Sequence, residues 1–121
     1  MENIGWNVTL GRDQEQSGCT FSPNGKFLAY ADVDKNAIVL SSPDGGQIIR
    51  TLEGHDSLID AVVISPDGAA IVSGSRDGVL NIWNLESGAL VRGLHAHDGW
   101  ILSLAVTQDG DRIISSSAMR A

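Results

Sequence analysis

The sequence predicts an all-β protein built from four-stranded antiparallel sheets that stack on one another. Three observations support this prediction: a pattern that recurs every 42 or 43 residues, short runs of Ile, Val and Leu separated by turn-forming clusters, and strands that are apolar on both faces. No segment keeps a helical apolar stripe over three turns.

The repeat is clearest in three turn motifs. FSPNG begins at Phe21, ISPDG at Ile64 and VTQDG at Val106, so the copies are 43 and 42 residues apart. The flanking segments repeat as well, since IIRTLEGH, which ends at His55, matches LVRGLHAH, which ends at His97. A period of this length indicates one supersecondary unit used several times.

Each copy predicts four short strands joined by tight turns. In the middle copy we expect them at residues 58–65, 70–75, 79–85 and 89–94. The clusters Pro-Asp-Gly, Arg-Asp-Gly and Glu-Ser-Gly between them favour hairpin turns. Along the third strand Leu80 and Ile82 point to one face, whereas Trp83 and Leu85 point to the other. A sheet that is apolar on both faces needs cover on both, as in stacked blades.

Composition limits the classes of partner. The 121 residues carry a formal net charge of −7, which repels nucleic-acid backbones and anionic membranes, so neither is an expected partner. The single cysteine, Cys19, excludes an internal disulfide and fits the cytoplasm, a reducing compartment. We expect neither a signal peptide nor a transmembrane segment.

The middle copy resembles the WD-repeat family of β-propellers. The residues that carry the resemblance are Gly54-His55, ISPDG, IVSGSRDG and LNIWN. The resemblance extends over about two and a half repeats, because the first copy has Leu40 aligned with Trp83 and the third stops before its own Asp and Trp. It implies WD-repeat-type blades in an incomplete ring. The expected division is an outer strand at 5–10, blade 1 at 16–53, blade 2 at 54–95 and the start of blade 3 at 96–121.

The resemblance also implies a hydrogen-bonded structural network within each blade. Its expected members are His55, Ser73 (with Ser75 as the other candidate), Asp77 and Trp83, with Asp34 and His97 at equivalent places in the neighbouring copies. A buried carboxylate is tolerated only when turn amides and an imidazole donate to it. We therefore expect Asp77 to bond both His55 and its own turn.

Three chemical alternatives fit the sequence less well. A Ser-His-Asp hydrolase needs an exposed serine at a strained turn, but these serines lie inside the strand IVSGS, without a Gly-x-Ser-x-Gly elbow. HAHD at 95–98 lacks further Cys or His ligands for a metal. DVDKN at 32–36 resembles the start of a calcium loop, but Ala37 and Pro43 stand where glycine and glutamate are required. We predict no catalytic, cofactor or metal site.

The function implied by the resemblance is a non-catalytic protein-interaction scaffold. The face expected to bind a protein or peptide contains Leu58, Asp60, Arg76 and Trp100. Ordinary packing of Trp100 at the entrance of its strand is the equal alternative, and Arg76 is expected to be a solvated turn residue. Another hypothesis makes the chain the propeller portion of a larger enzyme or enzyme-regulatory polypeptide whose chemistry lies outside these residues.

The chain is short for a closed ring, since about seven blades of this length need about 300 residues. Two hypotheses follow. The sequence is a fragment of a longer propeller, or it is a partial propeller completed by other chains. Self-association through open blade edges belongs to the second hypothesis, because uncovered strand edges promote pairing.

Overall fold

Ten β-strands make up the regular structure of the chain in the computed structural model, which describes residues 19–32 and 34–118. They are β1 (Thr20–Phe21), β2 (Leu28–Asp32), β3 (Ala37–Ser41), β4 (Ile48–Glu53), β5 (Ile59–Ile64), β6 (Ala70–Ser75), β7 (Val79–Asn84), β8 (Leu90–His95), β9 (Trp100–Val106) and β10 (Ile113–Ala118). The strand expected at 5–10 and the first residues of the expected blade 1 lie outside the described ranges. Within those ranges no helix has the length and apolarity needed to cross a bilayer.

The strands form three antiparallel sheets in which chain neighbours are also spatial neighbours. The first sheet is β1–β4, the second sheet is β5–β8, and the third sheet pairs β9 with β10. All-β architecture with four-stranded antiparallel blades in an open ring is confirmed. The four strands of the second sheet begin and end within one residue of the bounds expected from the turn-forming clusters.

Two apolar layers hold the sheets together. The layer between the first and second sheets includes Leu40 and Leu52 on one side and Ile71 and Trp83 on the other. The layer between the second and third sheets is built around Val72, Leu80 and Ile101. Successive residues of β6, Ile71 and Val72, thus enter different layers, as the pleat of a strand requires. The second sheet is covered on both faces, as the alternation along the third strand of its repeat predicted.

One turn chemistry recurs where strands reverse. A Ser or Thr hydroxyl donates to the Asp or Asn two residues later, and that side chain also accepts the backbone amide two residues further on. In the described ranges five turns of this kind begin at Ser22, Ser42, Ser65, Ser75 and Thr107. The hydroxyl hydrogen bond lowers the pKa of Asp44, Asp67 and Asp109 below the usual range, because it favours the ionised carboxylate.

The turn between β2 and β3 is one residue longer than its equivalent between β6 and β7. It contains residues 33–36, against 76–78 in the second sheet. In the sheet register Leu28 faces Ser41, whereas Ile71, the counterpart of Leu28, faces Trp83. Ser41 therefore occupies the place of Trp83, and the expected equivalence of Leu40 with Trp83 was wrong by one residue.

Candidate functional site

The buried polar centre of the second sheet is the hydroxyl of Ser73. The oxygen accepts the indole N–H of Trp83 at 2.9 Å and lies 2.6 Å from Nε2 of His55. Ser73 is fully buried. The indole donates to this oxygen, and the tautomer of the imidazole sets which of the two atoms donates in the bond between Nε2 and Oγ. Side chains from β6, β7 and the segment before β5 are thus tied to one atom.

His55 is held in its neutral form. It is 7% exposed, and burial lowers the pKa of its imidazole, while the nearby charges of Asp77 and Asp56 oppose that shift. Nδ1 is buried and has no hydrogen-bond partner among the described residues. The preceding Gly54 lets the backbone approach the Trp83 indole closely, since a Cβ at this position would lie only 2.9 Å from that ring.

Asp77 stabilises its own turn and does not bond His55. Its Oδ1 accepts the hydroxyl of Ser75 and the amide of Val79, the latter at 3.2 Å. The carboxylate is exposed at the turn, whereas the imidazole is buried, so Asp77 acts on His55 only through its charge. The expected direct bond between Asp77 and His55 is therefore not made. Ser75, the other candidate for the network, belongs to this turn.

The third sheet repeats half of the network. Nε2 of His97 lies 2.7 Å from Oγ of Ser115, and both residues come 42 positions after His55 and Ser73. Ser115 was not among the residues expected in the network, although the repeat spacing was enough to find it. A counterpart of Trp83 at the same spacing would fall beyond Ala121.

The first sheet builds no such network among the described residues. Asp34 is exposed, and its backbone amide donates to the carboxylate of Asp32. Tyr30 stands where the second sheet has Ser73, and Ser41 donates locally to the carbonyl of Ser42 at 2.9 Å. Asp34 therefore does not act as a network carboxylate, because no described imidazole or strand hydroxyl bonds its side chain.

Asn81 is a buried polar residue that was not among those expected from the sequence. It lies directly opposite Ser73 in the pairing of β6 with β7, and it is 2% exposed. Its Nδ2 has no hydrogen-bond partner among the described residues. The signal was available, because Asn81 is two residues before Trp83 and so shares a face with it.

The four residues expected on the interaction face do come together, across the second and third sheets. Nε of Arg76 donates to Oδ2 of Asp60 at 3.0 Å, and the Arg76 amide donates to the carbonyl of Leu58 at 2.9 Å. The guanidinium carbon lies 4.0 Å from the centre of the Trp100 ring. We call Leu58, Asp60, Arg76 and Trp100 the arginine patch. Arg76 is held on two sides rather than solvated in its turn.

The geometry leaves Ser73 and His55 without access to a substrate. Ser73 has no exposed surface, and its oxygen is already bonded to Trp83. A nucleophilic serine must reach a substrate carbonyl beside an oxyanion hole. In the described ranges no three His, Cys, Asp or Glu side chains are grouped so that they could hold a metal ion. Nε2 of His95 lies 3.9 Å from Oδ1 of Asp98 on the surface.

Comparison with known proteins gives the chain its relatives. The family model for the WD domain, G-beta repeat, matches residues 46–84 and 88–118, so each match joins the last strand of one sheet to strands of the next. The periodic tryptophan protein 2 homolog of Neurospora crassa is 33% identical over 63 residues, which are 52% of this chain and 7% of that protein. The small ribosomal subunit protein RACK1 of Caenorhabditis elegans is 41% identical over 64 residues, 53% of this chain and 19% of that protein.

A third relative, apoptotic protease-activating factor 1 of Mus musculus, is 27% identical over 75 residues, which are 62% of this chain and 6% of that protein. The chain thus spans less than a fifth of the length of each of these curated relatives. The family model matches more than half of the chain. The repeat, the antiparallel sheets and the matched segments agree, and the chain belongs to the WD-repeat family of β-propeller proteins.

Proposed function

We propose that the chain is a non-catalytic protein-interaction scaffold, and that its arginine patch binds a protein or peptide partner. The observation that carries this proposal is the position of Arg76, fixed between the Asp60 carboxylate and the Trp100 ring. Arg and Trp are the residues that most often supply binding energy at protein interfaces. A guanidinium already held in place loses little entropy on binding.

The patch defines the chemistry of the partner. The Arg76 side chain is 38% exposed, and its Nη1 has no hydrogen-bond partner within the described ranges. Because Asp60 already balances its charge, we expect carbonyl or hydroxyl acceptors at Arg76 and an apolar group packed against Leu58 and Trp100. A negative net charge of −7 disfavours nucleic acid as the partner.

The absence of catalysis is part of this proposal. It is supported by the burial of Ser73 and by the structural bonds that both Ser73 and His55 make. The cytoplasm is the compartment we propose, because the lone Cys19 is free and exposed, as is compatible with reducing conditions. Imaging of a fluorescent fusion would check that assignment.

We further propose that the chain forms part of a longer propeller. The support is the third sheet, which has two described strands where the others have four, and the small share of each relative that the chain covers. An immunoblot of the source organism is expected to show a protein much larger than 12.8 kDa. A single band at that mass would contradict this part of the proposal.

Affinity capture tests the arginine patch directly. The bait is the purified chain, and the variants are Trp100→Ala, Arg76→Ala and, as a control of equal charge change, Arg112→Ala. Arg112 is exposed and lies in the turn before β10, at the opposite end of the strands from the patch. We expect quantitative mass spectrometry to find proteins that both patch variants lose and Arg112→Ala keeps. An identical set of captured proteins for all four baits, each with a cooperative thermal melt, would sink the proposal.

A further inference from the structure

We infer that Asn24 is a site of spontaneous deamidation, and that the turn around it accepts the resulting aspartate better than the asparagine. The sequence has one asparagine that is followed by glycine, and it is Asn24, before Gly25. Both residues lie in the turn between β1 and β2 of the first sheet, whereas the arginine patch lies across the second and third sheets. The inference therefore does not depend on the proposed function.

The turn holds Asn24 through the oxygen of its side chain. Oδ1 accepts the hydroxyl of Ser22 at 2.6 Å and the backbone amide of Lys26 at 3.0 Å. Because a backbone amide can only donate, the side-chain atom that faces it is the oxygen. Asn24 is exposed, and its Nδ2 has no hydrogen-bond partner within the described ranges. The turn thus makes no use of the group that deamidation removes.

Aspartate stands at the same place in the other four turns of this kind in the described ranges. These residues are Asp44, Asp67, Asp77 and Asp109, and a glycine follows each of them. The turn that begins at Ser65 matches the turn at Ser22 in detail. Its hydroxyl lies 2.5 Å from the carboxylate, and the backbone amide two residues further on lies at 3.0 Å. A carboxylate therefore fits this turn without any rearrangement.

An aspartate at position 24 is expected to make stronger hydrogen bonds than the asparagine does. Bonds to an ionised carboxylate are shorter and stronger than bonds to a neutral amide. In the turns of Asp44, Asp67 and Asp109 the hydroxyl hydrogen bond lowers the pKa of the carboxyl group, because it favours the ionised form. The same two donors wait on the oxygen of Asn24.

Gly25 supplies the attacking atom of the reaction. Its backbone nitrogen bonds to Cγ of Asn24, the bond from Cγ to Nδ2 breaks, and ammonia leaves with the proton that the backbone nitrogen gave up. Water then opens the succinimide ring. Cleavage of the new bond gives aspartate, and cleavage of the original peptide bond gives isoaspartate. Glycine lacks the Cβ that hinders this attack, and no atom beyond the neighbouring residues lies within 4 Å of the Cβ position.

Opening of the turn controls the rate, because the Gly25 amide must first release its hydrogen bond. That amide donates to the carbonyl of Ser22 at 2.9 Å, which keeps its proton in place. In the described ranges β1 forms two residue pairs with β2, whereas β5 forms five with β6. Local opening costs less free energy where fewer backbone bonds hold a segment. We therefore expect Asn24 to react in the folded chain.

Peptide mapping by mass spectrometry tests the site. The chain is incubated in a mildly alkaline buffer in which it stays folded, and the conversion of each asparagine is followed with time. Asn84 is the internal control, because it is exposed and its Oδ1 also accepts a backbone amide, that of Ser87 at 2.9 Å, but Leu85 follows it. We expect Asn24 to react about tenfold faster than Asn84 or more. Equal rates, or no conversion of Asn24, overturn the inference.

Ion-exchange chromatography of the same samples gives a second readout. Deamidation adds one negative charge to the formal net charge of −7, so a more acidic form of the chain is expected to accumulate. Asn24→Gln is expected to remove that form, because the longer side chain does not close the succinimide ring. An acidic form that accumulates equally in Asn24→Gln would contradict the assignment to this residue.

Two opposite substitutions test how well the product fits the turn. Asn24→Asp is expected to raise the melting temperature by about 1–4 °C, because both hydrogen bonds then end on a carboxylate. Asp67→Asn is the reverse change in the turn at Ser65 and is expected to lower the melting temperature by a similar amount. Thermal melts at one near-neutral pH measure both. An Asn24→Asp chain that melts at or below the temperature of the unchanged chain would overturn this part of the inference.

Discussion

The first and second sheets share a four-stranded architecture and differ in the chemistry of their middle strands. Where the second sheet has Ser73, Asn81 and Trp83, the first has Tyr30, Val39 and Ser41 in the same register. The second sheet ties its strands to one buried hydroxyl, whereas the described part of the first sheet relies on apolar contact and backbone pairing. A four-stranded sheet therefore forms without the network. The contribution of the network must concern the residues close to it.

The contribution we infer is a fixed position for the loop that enters the second sheet. His55 lies just before β5, outside the backbone pairing of the strands, and its ring is attached to Ser73 across 18 residues of chain. Buried polar groups that are bonded to each other specify one arrangement, because any other leaves them unpaired. Three pairs of substitutions and one pH dependence test this account of the network.

The largest expected effect comes from Trp83→Ala. The indole is 1% exposed, so its removal leaves a large cavity and takes away one of the two hydrogen-bond partners of the Ser73 hydroxyl. We expect the free energy of unfolding to fall by about 3–5 kcal/mol. Ser41→Ala, at the equivalent place of the first sheet, is expected to cost about 1 kcal/mol or less, because its hydroxyl bonds only a neighbouring carbonyl. Urea denaturation measures both free energies of unfolding. Equal losses for the two variants would contradict the difference proposed between the first and second sheets.

Ser73→Ala is expected to be the next most damaging change. It removes the shared partner of two buried side chains, His55 and Trp83, at a cost of about 1–3 kcal/mol. Ser115→Ala is the matched control in the third sheet, where the serine is only half-buried and has a single recorded partner, His97. If Ser115→Ala lowers the free energy of unfolding as much as Ser73→Ala does, burial does not determine the loss of stability.

Asp77→Ala is expected to lower the free energy of unfolding by about 1 kcal/mol, because its turn loses the bonds to Ser75 and Val79. Asp34→Ala, in the longer turn of the first sheet, is expected to change stability by less than about 0.5 kcal/mol. Thermal melts of the two variants at one pH make the comparison. A larger loss for Asp34→Ala would mean that the turn of the first sheet depends on that carboxylate.

The smallest effect is a pH dependence confined to His55. Because its pKa is lowered in the folded chain, the unfolded chain takes up this proton first as the pH falls below the ordinary value of about 6.5. Stability from this residue is thus complete above that pH and declines below it. Melting temperatures between about pH 7.5 and about pH 5 are expected to fall less steeply for His55→Gln than for the unchanged chain. Parallel curves of melting temperature against pH for the two chains would contradict the lowered pKa of His55.

Much of the fold could be predicted from the sequence, because strand alternation and turn chemistry are local. The bounds of β5–β8 and the two apolar faces of β7 followed from the positions of Leu80, Trp83 and the flanking glycine clusters. Placing the four residues of the arginine patch on one face followed from the resemblance to the WD-repeat family. The family match carried the identity of Ser73 as a network residue.

The remainder depended on features that local patterns do not show. The extra residue between β2 and β3 cannot be recognised in the sequence. Ala37 to Ser41 are all buried, so this strand fits the repeat with either Leu40 or Ser41 at the position of Trp83. That shift misplaced Leu40 and Asp34. The lack of a bond between Asp77 and His55 reflects the exposure of a turn, which sequence spacing does not give. Arg50 on β4 escaped notice because it donates to backbone carbonyls of the turn between β7 and β8, which carry no sequence signal.

The central claim is that Ser73 and Trp83 stabilise the second sheet through the bond between them. A double-mutant cycle with Ser73→Ala, Trp83→Phe and the combined variant measures that coupling from urea denaturation, with the phenyl ring retaining most of the buried volume. We predict a coupling of about 1 kcal/mol, because each single change already breaks the 2.9 Å hydrogen bond. Losses that add to within about 0.3 kcal/mol would contradict the claim and leave the network without an energetic role.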